Sequence, residues 1–436
     1  MKKRLLNILF WSILSAAFIG PGTITTAAKA GANFQFDLLW ALVFSTFACV
    51  ILQEAAARLS IQSNKSLGTA IAETFGNAKG GWIVFILVIG AIIIGSAAYQ
   101  TGNLLGASEG ILFFSSINTT YIILGLGILA GIALLFPSMQ ILARSLGFMV
   151  VLMGFAFITT AILIKPDFSK ILIGSFIPQM PESSGLLILG LIGTTVVPYN
   201  IFLGSGITDK TQSIKEMRFG ISVAIILGGI TSMAVLIVGS SINGEFTFNA
   251  LAQTLGNSLG SWAVWFFGFG LFAAGFSSSI TAPLASAITA HDLFQHRNKK
   301  KWSENGIFFR IIWGLVLISG IGFGLAGFKP IPVIIAAQAL NGLILPFISI
   351  FLWFAINNKK LMGENKNTNI QNILFGSIVW VSLVLGLWNL VKAGFSFFKQ
   401  NIPDNSVLFY LLLALNLLIT LFVALHISKA KENKYE

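Results

Sequence analysis

Apolar stretches of about twenty residues, each long enough to cross a bilayer as a helix, alternate with short polar links along the chain. The pattern predicts twelve helices, at 8–31, 38–59, 82–112, 119–136, 143–164, 185–208, 218–241, 262–290, 307–327, 331–355, 371–391 and 406–428. The longest links, 60–81 and 165–184, read as loops rather than as a soluble domain. Two of the twelve helices are interrupted. Gly20-Pro21-Gly22 falls inside the first and Val197-Pro198-Tyr199-Asn200 inside the sixth. A proline in a helix interior removes one N–H donor and clashes with the preceding turn. Backbone freed in this way at membrane depth must be buried in protein or line a watery cavity. A pair of such breaks, one early and one near mid-chain, points to a solute site near the midplane of a carrier built from inverted repeats.

Composition agrees with lipid as the solvent. The 436 residues are 56% hydrophobic and only 10% charged, where a soluble domain carries about 25%. Mean hydropathy is +0.86. Glycine, at 44 residues, suits close packing of membrane helices. The formal charge of +12 reflects topology and not a nucleic-acid partner. With the N-terminus placed inside, all but six of the 27 basic residues (Lys29, Lys165, Lys170, Lys329, Lys392 and Lys399) fall on the inner side. That asymmetry supports an even number of helices and both termini in the cytoplasm of a bacterial inner membrane. Met1-Lys2-Lys3-Arg4, the apolar run after it and Ser15-Ala16-Ala17 look like a signal peptide. The partner break at Pro198 favours an uncleaved first helix instead. One cysteine, Cys49, allows no disulfide within the chain, and three histidines outside the helix centres offer no metal cluster. No GxxxxGK[ST] loop occurs, so transport driven by ATP is disfavoured. The chain is expected to be a carrier and not an enzyme, with no catalytic residues and no cofactor.

Several motifs resemble the Nramp metal-ion transporters. Gly20-Pro21-Gly22-Thr23, Ala30-Gly31-Ala32 and Leu38-Leu39-Trp40 follow the family's first helix in register, and Gln53 and Ala57-Arg58-Leu59 continue into the second. Gly193-Thr194-Thr195-Val196-Val197-Pro198-Tyr199-Asn200 is similar to the sixth-helix motif. Gly275-Phe276-Ser277-Ser278-Ser279-Ile280-Thr281, Gln338, Leu345-Pro346-Phe347 and Lys360-Leu361-Met362-Gly363 match later elements. The resemblance spans about residues 15–363. It implies an all-α polytopic membrane protein of the LeuT type. Residues 1–170 and 171–356 would then form two inverted five-helix repeats, and 357–436 two further helices.

The resemblance also implies a divergent site. The family's first-helix Asp and Asn and its sixth-helix Met, which bind the metal, correspond here to Gly20, Thr23 and Val197. The sixth-helix His is Tyr199, and the acidic positions of the third helix are Gln100 and Asn103. A bare transition-metal ion favours soft or anionic ligands, which are absent here. Hydroxyls and amides suit an ion that keeps its waters, as Mg²⁺ tends to. The expected function is alternating-access transport of a divalent cation, with Gly20, Thr23, Thr194, Val197, Tyr199, Asn200, Gln338 and Asn341 as substrate contacts. Lys29, Gln100, Asn103, Glu109, Ser278 and Ser279 are candidates for the pathway or for ion coupling. Two alternatives stay open. One is a carrier of an anion or small organic solute, drawn by helix N-termini and Lys29. The other is a membrane sensor or scaffold that transports nothing. The expected partners are the bilayer and a small ion or solute.

Overall fold

The computed structural model describes residues 19–76, 81–136, 140–208, 212–296, 298–304, 306–398 and 405–432. Helices account for nearly all of these, and no strand occurs among the described residues. In chain order they are α1 (Pro21–Phe34), α2 (Leu39–Ser63), α3 (Leu67–Phe75), α4 (Gly81–Leu112), α5 (Thr119–Leu135), α6 (Gln140–Leu163), α7 (Phe168–Phe176), α8 (Gly185–Thr195) and α9 (Pro198–Ile207). They continue as α10 (Ile214–Gly239), α11 (Phe248–Leu259), α12 (Trp262–Phe294), α13 (Lys299–Trp302), α14 (Ile307–Leu325), α15 (Pro330–Asn357), α16 (Lys359–Met362), α17 (Asn369–Phe397) and α18 (Asn405–Glu432).

Ten spans among the described residues are long and apolar enough to cross a membrane, with α8 and α9 counted as one. The shorter α5 and the half-helix α1 complete the set expected from the apolar pattern. Residues 8–18 of the first predicted helix lie outside the described residues. The links read as plain loops are partly helical. Residues 60–81 contain α3, capped by Ser66, whose hydroxyl accepts from the Thr69 N–H. Residues 165–184 contain α7, capped by the Asp167 carboxylate at Ser169 and Lys170. Both are nine-residue helices, too short for a window tuned to membrane spans.

Small residues set the spacing of the bundle. A Cβ at Gly275 on α12 would lie 2.6 Å from the Ala107 nitrogen and the Asn103 oxygen of α4. A Cβ at Gly193 on α8 would lie 2.0 Å from the Gln338 carbonyl oxygen of α15, and one at Gly342 2.5 Å from the Leu189 oxygen. Membrane helices pack this way because lipid supplies no hydrophobic drive between them and backbone approach must replace it. Large apolar side chains such as Trp82, Ile86, Tyr121, Phe148, Phe155 and Phe422 are left on the outside for lipid.

Arg58, Arg218 and the Lys299–Lys301 run gather at one end of the bundle. Arg58 of α2 reaches Asn365 and Asn367 beyond α16, and Arg218 of α10 reaches Glu54. Thr69 of α3 donates to the Asp292 carbonyl of α12, and the His291 ring meets the Trp302 carbonyl beside Lys299, Lys300 and Lys301. At the opposite end, Trp40 donates to the Gln179 carbonyl at 2.9 Å.

Candidate functional site

Both breaks have the same local cause. α1 starts at Pro21, after Gly20 in extended conformation (φ −94°, ψ 178°). Proline is suited to this first helical position, where its missing N–H would have no partner. α8 stops at Thr195, because Pro198 drives the preceding residue out of the helical region. Val197 accordingly sits at φ −83°, ψ 120°, and α9 restarts at Pro198. No side chain caps the start of either α1 or α9. The last carbonyls of α8 and the first N–H groups of α1 and α9 therefore meet at one joint. Both ends of the backbone dipole are on offer there.

Side chains tie the joint together. The Thr23 and Thr194 hydroxyls share a 2.8 Å hydrogen bond between α1 and α8. Gln338 of α15 lies on Gly22, where a Cβ would come within 2.1 Å of its amide nitrogen. Asn341, one turn further, faces Gly95 of α4. Tyr99 of α4 sits against Gly20, and its hydroxyl lies beside those of Thr194 and Tyr199. The Tyr99 and Tyr199 rings pack edge to face with centroids 5.4 Å apart. The Ser278 hydroxyl of α12 also comes to Gly20. Thr23, Tyr99, Thr194, Tyr199, Gln338 and Asn341 are each at most 2% exposed, so the joint is closed to water on both sides.

No carboxylate, imidazole, ammonium or guanidinium belongs to this set. Among the described residues no group of three or more His, Cys, Asp or Glu could hold a metal. The side-chain Oε1 of Gln338 and the side-chain Nδ2 of Asn341 are buried without a hydrogen-bond partner. Buried amides normally find partners, so unfilled valences at this spot suit a solute or its waters. Two apolar clefts of about 400 and 330 Å³ open elsewhere, beside Trp40 and Trp380 and beside Leu343 and Lys392.

Of the expected contacts, Gly20, Thr23, Thr194, Tyr199, Gln338 and Asn341 converge. Val197 contributes backbone at the break. Asn200 is fully buried in the first turn of α9, with neither side-chain amide atom partnered. Of the pathway candidates only Ser278 reaches the joint. Gln100 donates to the Ser279 carbonyl at 3.0 Å, and the Ser279 hydroxyl is used within its own helix, on Phe276. Asn103 packs its backbone on Gly275. Lys29 lies six residues beyond Thr23, about 9 Å of helix rise, and is half-buried. Glu109 is ten residues past Tyr99, about 15 Å along α4, and also half-buried. The sequence reading missed Tyr99. The available signal was a phenol at the start of the polar stretch of α4 that also holds Gln100, Thr101 and Asn103.

A family model described as natural resistance-associated macrophage protein-like (Nramp) matches residues 12–392. The chain belongs to the Nramp family. It is 26% identical over 396 residues to the divalent metal cation transporter MntH of Yersinia pestis (strain Pestoides F), covering 86% of this chain and 91% of that protein. It is also 26% identical over 399 residues to MntH of Bacillus subtilis (strain 168), covering 87% and 90%. In structure it resembles the Eremococcus coleocola manganese transporter, with TM-score 0.69, 19% identity and coverage of 99% and 94%. It also resembles Mhp1, a nucleobase-cation-symport-1 family transporter in a closed conformation, with TM-score 0.58, 16% identity and coverage of 99% and 94%. The fold is thus the LeuT-type fold of Nramp transporters, and the protein is an integral membrane protein.

Proposed function

We propose that this Nramp protein is a secondary transporter that works by alternating access about the Gly20–Thr23 and Thr194–Tyr199 joint. Its cargo would be a divalent cation that keeps much of its hydration shell. The carrying observation is the chemistry of the closed joint, where hydroxyls and amides converge without a fixed charge. Against the family pattern, Gly20, Thr23 and Val197 stand at the metal-binding Asp, Asn and Met. A cation stripped of water must recover its hydration energy from ligands, and neutral oxygens recover little of it. The same oxygens hydrogen-bond well to water already on the ion. Mg²⁺, which dehydrates reluctantly, is the model cargo. On this reading residues 1–170 and 171–356 are inverted repeats, each opening on an interrupted helix. Residues 357–436 are appended to them, and the basic end faces the cytoplasm.

A second reading is favoured by the Tyr99–Tyr199 ring pair and by two helix N-termini opening on the joint. Free N–H groups and aromatic faces suit a small organic solute or an anion. Flux into proteoliposomes separates the readings. Saturable Mg²⁺ uptake, with Mn²⁺ no better a competitor than its charge warrants, is the expected result. Saturable Mn²⁺ uptake at micromolar concentration would overturn the proposed chemistry. Anion or organic-solute uptake without Mg²⁺ uptake would select the second reading. No flux of any solute would leave a sensor or scaffold.

A further inference from the structure

Arg58 is a buried guanidinium, 2% exposed, in the last turns of α2 and remote from the joint. Its Nε donates to the Glu54 carboxylate at 2.9 Å, one Nη to the Asn365 carbonyl at 2.5 Å and the other to the Asn367 side-chain oxygen at 2.6 Å. The same Glu54 oxygen accepts from Arg218 of α10 at 2.8 Å. The Asn365 amide donates to Gln62 of α2, and the Asn367 amide donates to the Asn372 oxygen of α17. Asn372 in turn accepts from Trp353 and Asn357 of α15, at 2.8 and 2.9 Å. One continuous polar network thus runs from α10 and α2, through the link after α16, to α15 and α17.

This network joins elements that carry opposite sides of the joint. α2 is bonded to the lower half of the broken helix: Ser60 donates to the Ser205 carbonyl of α9 at 2.7 Å, and Ser205 accepts from the Leu67 N–H. α15 carries Gln338 and Asn341. For the joint to open toward the basic end, the α2–α9 side must part from the α15–α17 side, and the network spans that seam. Apolar packing would hold the seam at lower desolvation cost than a buried ion pair. A polar seam has one property that an apolar seam lacks. Once opened, its groups are hydrated in place of their lost partners, so the open and closed states stay close in free energy.

Given alternating access, as proposed above, we propose that the Glu54–Arg58–Arg218 cluster and the Asn365–Asn367 strap form a latch. It holds the bundle shut at its basic end, and its strength sets the balance between the two access states. The test uses the full chain in proteoliposomes, with Cys49→Ala and a single reporter, Asn341→Cys. A membrane-impermeant thiol reagent is added to one face or the other. Arg218→Gln and Asn367→Ala leave the buried Arg58 in place, and each should raise labelling from the basic-end face by about fivefold or more, and lower it from the opposite face. Arg58→Lys should lie between these variants and the parent.

A two-state equilibrium requires that reciprocity, and simple loosening does not produce it. Labelling that rises from both faces, or from neither, overturns the latch. A reporter reached from no face in the parent or any variant overturns alternating access itself, and the latch with it.

Discussion

At the residue scale, the joint is defined by contacts that single atoms can report. The Thr23–Thr194 hydrogen bond is a direct side-chain link between the two interrupted helices. Thr194→Val should cost about 1 kcal/mol of stability. A double-mutant cycle with Thr23→Val should read a coupling of about 0.5–3 kcal/mol in thermal or denaturant melts. Strictly additive losses would place the two hydroxyls in separate environments. Tyr99→Phe keeps the ring packed on Tyr199 and removes only the hydroxyl at Gly20 and Thr194. It should alter substrate uptake while the edge-to-face pair, worth about 0.5–1.5 kcal/mol, is retained. A variant with parental uptake would make Tyr99 packing and nothing more.

At the element scale, what matters is how closely α8 and α15 approach. Gly193 and Gly342 let the two backbones nearly touch, and that approach brings Gln338 and Asn341 to the break. Gly342→Val must push α8 away. We expect a loss of about 1–3 kcal/mol or more, as for other overpacked interiors, and loss of uptake with it. Gly314 on α14 is a fair control, since nothing lies within 4 Å of a Cβ placed there. Gly314→Ala should stabilise the helix by about 0.4–1 kcal/mol and leave uptake unchanged. If both substitutions behave alike, close approach is not what positions the site.

At the scale of the whole molecule, a joint without a fixed charge has a measurable consequence. None of the converging side chains is a carboxylate or an imidazole, so none changes charge over the range where those groups titrate. Uptake should therefore vary less than about threefold between roughly pH 5.5 and 7.5 in the absence of an imposed gradient. A steep rise or fall would assign control to a group away from the joint, of which half-buried Glu109 is the first to replace with Gln. The bundle's outline was legible in the chain because lipid demands a long apolar run for every crossing. Among the described residues, α1 to α18 include each run that the hydropathy pattern marked, residues 8–18 of the first lying outside them. α3 and α7 were not legible, because nine residues lying along the bundle leave no span-length signature.

The sequence by itself determined where the helices run, where two of them break, and that the breaks carry no fixed charge. Those properties depend on residue type and on neighbours along the chain: proline at 21 and 198, glycine at 20, valine at 197. Only the tertiary structure decided which polar groups meet. It brought Tyr99 and Gln338 to the joint and left Lys29 and Glu109 roughly two to three turns away. It turned Gln100 and Ser279 toward backbone partners, and it joined Arg58 to Asn367 across 309 positions. Such meetings follow from how closely glycine-lined helices can approach and at what height they cross, and one-dimensional periodicity carries no record of either.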